Sequence, residues 1–240
     1  NHSHKTRVYD IANGALGGWQ GFHDSGSEQD TLATRLNDAG YNTGLFGKYL
    51  NGYTEATGGS FTPPGWDTFN VMLPDSGEED GTYYNYDISN LPQHHGTAAN
   101  DYSTDVFGQL ASQFVQNTPN DQPFFMMYTP FGPHSPTTPA PRDKNAWPAQ
   151  NINQIPAFNE DDVSDKPAWV RKQAKQNATT QAGIYRRQHT TVMSIDDQLK
   201  NIMDAAGNRL ENTIVIYMAD NGLMLGSHRL HKKDVPYRMA

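Results

Sequence analysis

The sequence predicts an α/β fold, with a mostly parallel or mixed central sheet and helices on both faces. Two observations carry this. A helical pattern followed by a short apolar, strand-like run occurs three times along the 240 residues, and such alternation builds a largely parallel sheet. Each apolar run also ends near a polar residue or pair: Lys48, His134 and Asp220-Asn221. Parallel strands bring their C-terminal ends to one edge, where open α/β sheets bind ligands.

Taken in order, Thr31 to Ala39 reads as a helix with Leu32 and Leu36 on one face and Gly40 as its stop. Tyr41 to Gly47 reads as a strand ending on Lys48. Residues 54 to 100, rich in Gly, Pro, Asn and Tyr, show no helical period and read as a long excursion carrying aromatic surface. Asp101 to Asn117 places Val106, Leu110 and Phe114 at four-residue spacing, an amphipathic helix. Pro123 to Tyr128 reads as a second buried strand. It leads into Pro130-Phe-Gly-Pro-His134-Ser-Pro136, where the prolines forbid a regular element. Residues 137 to 178 read as surface loop with short helices. Gln181 to Ala206 carries a helical stripe through Ile184, Val192, Ile195, Leu199 and Ile202. Ile214 to Met218, apolar and β-branched, then reads as a strand buried on both faces with Asp220-Asn221 at its C-terminal end.

Composition sets limits. At 35% hydrophobic and 18% charged residues, disorder from excess charge is not the reading. A net charge of −8 argues against a nucleic-acid partner, and no apolar run reaches membrane-spanning length. With no cysteine, the residues offer no disulfide, thiolate metal site or cysteine nucleophile. Asn177-Ala-Thr matches a glycosylation acceptor. The chain has neither a signal peptide nor an initiator Met, so a missing start is expected.

Several residues stay open on pattern alone. Asp220-Asn221-Gly222 reads either as a turn or as half of a hard-cation site, since it offers two oxygen side chains. Lys48 reads as a solvated lysine or a fixed cation, and His134 as a packed loop residue or an acid-base group. His228, His231, Lys232 and Lys233 form a basic cluster that reads as surface or as a dianion holder. Asp196 and Asp197 mark the solvated face of the long helix, and His94-His95 reads as loop rather than metal site. The tyrosines at 83, 84 and 86 line a groove or pack the excursion.

Three segments together carry a resemblance: Ala39-Gly-Tyr-Asn-Thr-Gly-Leu-Phe-Gly-Lys-Tyr-Leu-Asn51, Pro123-Phe-Phe-Met-Met-Tyr-Thr-Pro-Phe-Gly-Pro-His134, and Ala219-Asp-Asn-Gly222 with Leu225-Gly-Ser-His-Arg-Leu-His-Lys-Lys-Asp-Val-Pro-Tyr237. In this order and spacing they resemble the sulfatases of the alkaline-phosphatase-like superfamily, across essentially the whole chain. Pro63-Pro-Gly-Trp-Asp67 and Asp165-Lys-Pro-Ala-Trp169 favour the branch that includes N-acetylglucosamine-6-sulfatases.

The resemblance implies that Asp220 and Asn221 bind calcium. Lys48 would contact the sulfate and the nucleophile, and His134 the sulfate and the leaving oxygen. Lys233 matches the late lysine, four residues before Tyr237, with Lys232 as the fallback. Asn51 and His228 are assigned to substrate binding. Two departures accompany it. Where many relatives place a His two residues after the first lysine, this chain has Leu50. The Cys-x-Pro-x-Arg segment that yields the family's formylglycine nucleophile, and the Asp-Asp pair upstream of it, are not in the sequence, and Asn1-His2 resembles the Asn-His that follows that segment.

The expectation is therefore an internal fragment, residues 1–240, of a sulfatase catalytic domain, itself inactive, without the N-terminal metal and nucleophile segment or the C-terminal subdomain. The parent is expected to be a secreted, periplasmic or lysosome-like calcium-dependent sulfuric-ester hydrolase acting on a sulfated carbohydrate or aryl sulfate. A phosphodiester or phosphonate monoester hydrolase of the same superfamily and a non-catalytic glycan-binding relative are the alternatives. The oligomeric state is not legible.

Overall fold

The computed structural model describes residues 3–75, 81–148, 152 and 155–233. The features read at Asn1-His2 and Pro236-Tyr237 lie outside the described residues. The chain forms two units, one of Asn1–Gly132 with Ser194–Asn212, the other of Pro133–Met193 with Thr213–Ala240.

The first unit holds the sheet. Its helices are α1 (Ser3–Thr6), α2 (Gly18–Asp24), α3 (Leu32–Asp38), α4 (Tyr53–Thr57) and α5 (Ser103–Asn117). Its strands are β1 (Asn42–Gly47), β2 (Thr68–Pro74), β3 (Tyr86–Ile88), β4 (Leu91–His95) and β5 (Phe124–Thr129), in the order β4-β3-β2-β1-β5. β1 lies between β2 and β5 and runs parallel to both, while β3 and β4 add antiparallel pairings. This is the mixed sheet the sequence predicts.

The two-residue period of β1 explains its two helical faces. Phe46 packs on Phe114 of α5, with ring centroids 5.4 Å apart, and a Cβ on Gly44 would meet the same Phe114 ring. On the opposite face, Leu45 joins Trp19 of α2 and Tyr53 of α4 in one buried cluster. Thr43 on that face is clipped by Asp67, whose Oδ2 accepts from Thr43 N (2.9 Å), Thr43 Oγ1 (3.0 Å) and Asn37 Nδ2 of α3 (2.8 Å). Thr31 caps α3 through a reciprocal box with Thr34. The residue that α3 buries is Ala33; Leu32, predicted on the apolar face, is 61% exposed.

Two element predictions are corrected. Residues 54 to 100 are not an excursion without regular structure, because β2 lies beside β1 and buries Phe69 and Val71. Tyr83 and Tyr86 are buried packing residues, at 3% and 0% exposure. Ile214 to Met218 is not a buried strand; residues 213–223 carry no regular element, and Ile214, Ile216 and Met218 are 89%, 77% and 77% exposed. An apolar run becomes a buried strand only by pairing its backbone with neighbours, and none of the described strands pairs with this one. β5, also predicted as buried, lies at the end of the strand order with Met127 40% exposed.

The second unit includes α6 (Ala168–Arg171), the first part of α7 (Ala178–Ala206), and a small hairpin of β6 (Met224–Leu225) and β7 (His231–Lys232). Asn177 is exposed and caps α7, its Oδ1 accepting from Thr180 N at 2.9 Å. Val170, Met224 and Leu230 form a local core. The last part of α7 belongs to the first unit, where Gln198 donates to Asp105 of α5 at 2.8 Å. Asp196 and Asp197 are exposed, as predicted.

Candidate active site

Lys48 is set by the backbone at the C-terminal end of β1. Its N–H donates to Thr129 O (2.7 Å), and Thr129 Oγ1 donates to Lys48 O (2.8 Å). The residue before it must be glycine. Gly47 has φ +126°, and a Cβ there would stand 2.1 Å from Thr129 O. The Lys48 ammonium donates to Asn51 Oδ1 and, at 3.2 Å, to Tyr49 O. Lys48 and Asn51, both candidates from the sequence, are therefore brought together. Asn51 is anchored in turn, its carbonyl accepting from Trp19 N at 2.8 Å. Beneath this turn the Tyr49 phenol is pushed well above its ordinary range, first by burial and then by the charge of Glu28. Glu28 is 3% exposed, with Oε1 2.9 Å from His23 Nδ1.

The other candidates belong to the second unit. His134 is exposed on the loop after β5, with Nδ1 3.0 Å from Ser135 O. A carbonyl only accepts, so Nδ1 carries the proton and Nε2 holds the lone pair of the neutral ring. Asp220 and Asn221 are exposed neighbours. Asp220 Oδ1 accepts from Asn221 N (2.8 Å), and Asn221 Nδ2 donates to Gly222 O (2.8 Å). With the amide nitrogen tied down, Asn221 Oδ1 is the side chain's oxygen donor. The pair thus offers hard oxygen donors suited to Ca²⁺, which takes roughly 6–8 of them. Among the described residues no group of three or more His, Cys, Asp or Glu side chains is arranged for a metal.

His228 is part-buried, at the turn between β6 and β7, with φ +52°. Its Nδ1 lies 2.7 Å from Glu160 Oε2, a partner the sequence reading did not single out. Lys232 sits in β7 opposite Met224 and is exposed, while Lys233 is half-buried. His94 contacts Asp87 at 3.0 Å and His95 lies 3.6 Å from Asp101.

Comparison with known proteins gives these residues their setting. The sulfatase family model matches residues 2–238. N-acetylglucosamine-6-sulfatase of Bos taurus is 32% identical over 203 residues, covering 80% of this chain and 35% of that protein. An arylsulfatase of Volvox carteri is 28% identical over 260 residues, covering 95% of this chain and 38% of that protein. A solved protein in complex with its substrate, D-glucosamine-2-N,6-O-disulfate, aligns with TM-score 0.59 at 20% identity, over 88% of this chain and 53% of that one. That last likeness speaks to the fold. The chain belongs to the sulfatase family. It spans about a third of the length of the curated relatives it matches, 35% for the bovine protein. No helix among the described residues is long and apolar enough to cross a membrane.

Proposed function

We propose that these residues are the central part of a sulfatase catalytic domain whose whole protein hydrolyses the sulfate ester of a sulfated sugar, with aryl sulfates as surrogate substrates. The observation that carries this is the family match over residues 2–238, which takes in Lys48, His134, Asp220-Asn221 and Lys233. A bovine relative named for N-acetylglucosamine-6-sulfate points to the sugar class.

Chemical sense supports the roles. A sulfate monoester spreads negative charge over its oxygens, and charge builds on the leaving oxygen as the S–O bond breaks. Lys48 and Lys233 offer fixed cations to that charge. His134, with Nδ1–H held by Ser135 O, would act as the doubly protonated imidazolium, handing its Nε2 proton to the leaving oxygen and returning to the neutral ring. Asn51 steadies the Lys48 ammonium, and His228 contacts the sugar or its anion. Asp220 and Asn221 would hold part of a calcium shell, and a bound calcium would supply Lewis-acid stabilisation of sulfate oxygens. A formylglycine outside these residues would supply the nucleophile, because the sequence holds no Cys-x-Pro-x-Arg or Ser-x-Pro-x-Arg segment to convert. An extracellular, periplasmic or lysosome-like location fits relatives named as extracellular sulfatases.

The test is an ester panel given to the whole protein: N-acetylglucosamine 6-sulfate, 4-nitrophenyl sulfate, bis-4-nitrophenyl phosphate and a phenylphosphonate monoester. The proposal expects turnover of the sulfates to dominate, and no turnover from residues 1–240 alone. Preference for the phosphorus esters would make it a phosphodiester or phosphonate hydrolase. Binding of the sulfated sugar without turnover would make it a glycan binder. Turnover by residues 1–240 alone would contradict the external nucleophile.

A further inference from the structure

Outside the candidates taken from the sequence, a polar weave ties residues 157–176 to the β6–β7 turn. His228 N donates to Ala157 O (2.8 Å), and Asn159 N to Gly226 O (2.9 Å). Phe158 bridges Ser227, and Gly226, at φ +102°, lies so close to the Phe158 ring that a Cβ would stand 2.3 Å from it. Arg229 reaches back, with Nε to Glu160 O (3.0 Å) and Nη2 to Asp161 O (2.8 Å). Gln176 Nε2 donates to Arg229 O (3.0 Å), while Gln176 and Asn159 exchange two further bonds. These backbone and side-chain bonds together hold the turn.

One side-chain contact in this weave acts on a ring nitrogen instead. Glu160 Oε2 meets His228 Nδ1 at 2.7 Å, and Oε1 lies 3.3 Å from Lys166 Nζ, which also binds Asp165 at 2.7 Å. The carboxylate is thus fixed from behind by Lys166 and by Arg229 on its own main chain. An ionised carboxylate only accepts, so it holds the proton of the neutral ring on Nδ1 and sets the plane of the ring. A carboxylate behind a metal-ligating histidine does this, and its loss there typically costs roughly 10–100-fold in affinity or activity.

We propose that Glu160 is a positioning residue for His228, orienting its imidazole toward the sulfated substrate. This rests on the proposed substrate contact of His228. Glu160 does not touch the substrate; its effect passes through the ring.

The test uses the whole protein with N-acetylglucosamine 6-sulfate, comparing Glu160→Ala, Glu160→Gln, His228→Ala and the double variant Glu160→Ala/His228→Ala. Thermal melting of each is followed alongside KM and kcat. Glu160→Ala should raise KM roughly 10-fold with kcat little changed. Glu160→Gln, which can still accept at Nδ1, should recover most of that loss. The double variant should be no worse than His228→Ala, because a positioning effect vanishes with the ring it positions. If His228→Ala raises KM while Glu160→Ala does not, the positioning role is overturned and the substrate contact stands. A double variant worse in KM than His228→Ala would make Glu160 a merely structural residue and overturn the role. If His228→Ala leaves the kinetics unchanged, both the contact and the positioning role fall.

Discussion

Gly47 carries the placement of Lys48. No side chain fits at φ +126° with a carbonyl oxygen 2.1 Å from the ideal Cβ position, so Gly47→Ala must move either β5 or the start of the Lys48 turn. The expected loss is about 1–3 kcal/mol of stability, read from the urea midpoint, with sulfatase activity falling further than stability because Lys48 is displaced. Unchanged stability and activity would show that the turn adapts freely. At this scale the sequence was partly legible. Lys48 and Asn51 stand within one motif, and the structure joins them by a hydrogen bond. Glu160 was not legible, because it meets His228 across 68 residues of chain and nothing in its polar surroundings marks it out. The Glu28–His23 pair escaped for a different reason. A single acidic residue before a helix reads as solvated, and only the folded packing reveals that Glu28 is buried.

Among elements, periodicity served where a regular face meets a core. α5 buries Val106 and Phe114 as its spacing predicts, while Leu110, the third residue of that spacing, is only half-buried, and β1 and β5 lie where their apolar runs placed them. β2 was hidden by its Gly- and Pro-rich flanks, although the alternation of Phe69 and Val71 is a strand signal. Ile214 to Met218 was over-read, since composition records strand propensity and not the presence of a pairing neighbour. The weave around the β6–β7 turn carries a pH prediction. The Glu160 carboxyl is held below its ordinary 4.5, first by the hydrogen bond from His228, with Lys166 also lowering it against the opposing effect of burial. Asp161 is held low by Lys175. A carboxyl depressed in the folded state stabilises it above the unfolded pKa, and that contribution is lost as pH falls through the folded value. The protection factor of the His228 amide, bonded to Ala157 O, should therefore drop as pH falls below about 4.5. Protection that stays flat down to pH 2 would show that the backbone bonds hold the turn unaided.

Over the whole molecule, the mixed α/β sheet was readable from the order of its elements, and family membership followed from motifs spread along nearly the full length. The division into two units was not readable, because α7 is one continuous helical pattern whose two parts pack in different units. Lys48 and Asn51 belong to one unit; His134, Asp220, Asn221, His228 and Lys233 belong to the other. A shared role in sulfate-ester hydrolysis is thus a claim about function, and function tests it. The most direct measurement is release of inorganic sulfate from N-acetylglucosamine 6-sulfate by the whole protein, wild type against Lys48→Ala, with melting curves to verify folding. The prediction is sulfate release by the wild type and at least a roughly 100-fold fall in kcat/KM for a folded Lys48→Ala, the scale of losing one charge-stabilising group. No release by the wild type, or full activity in Lys48→Ala, would contradict it.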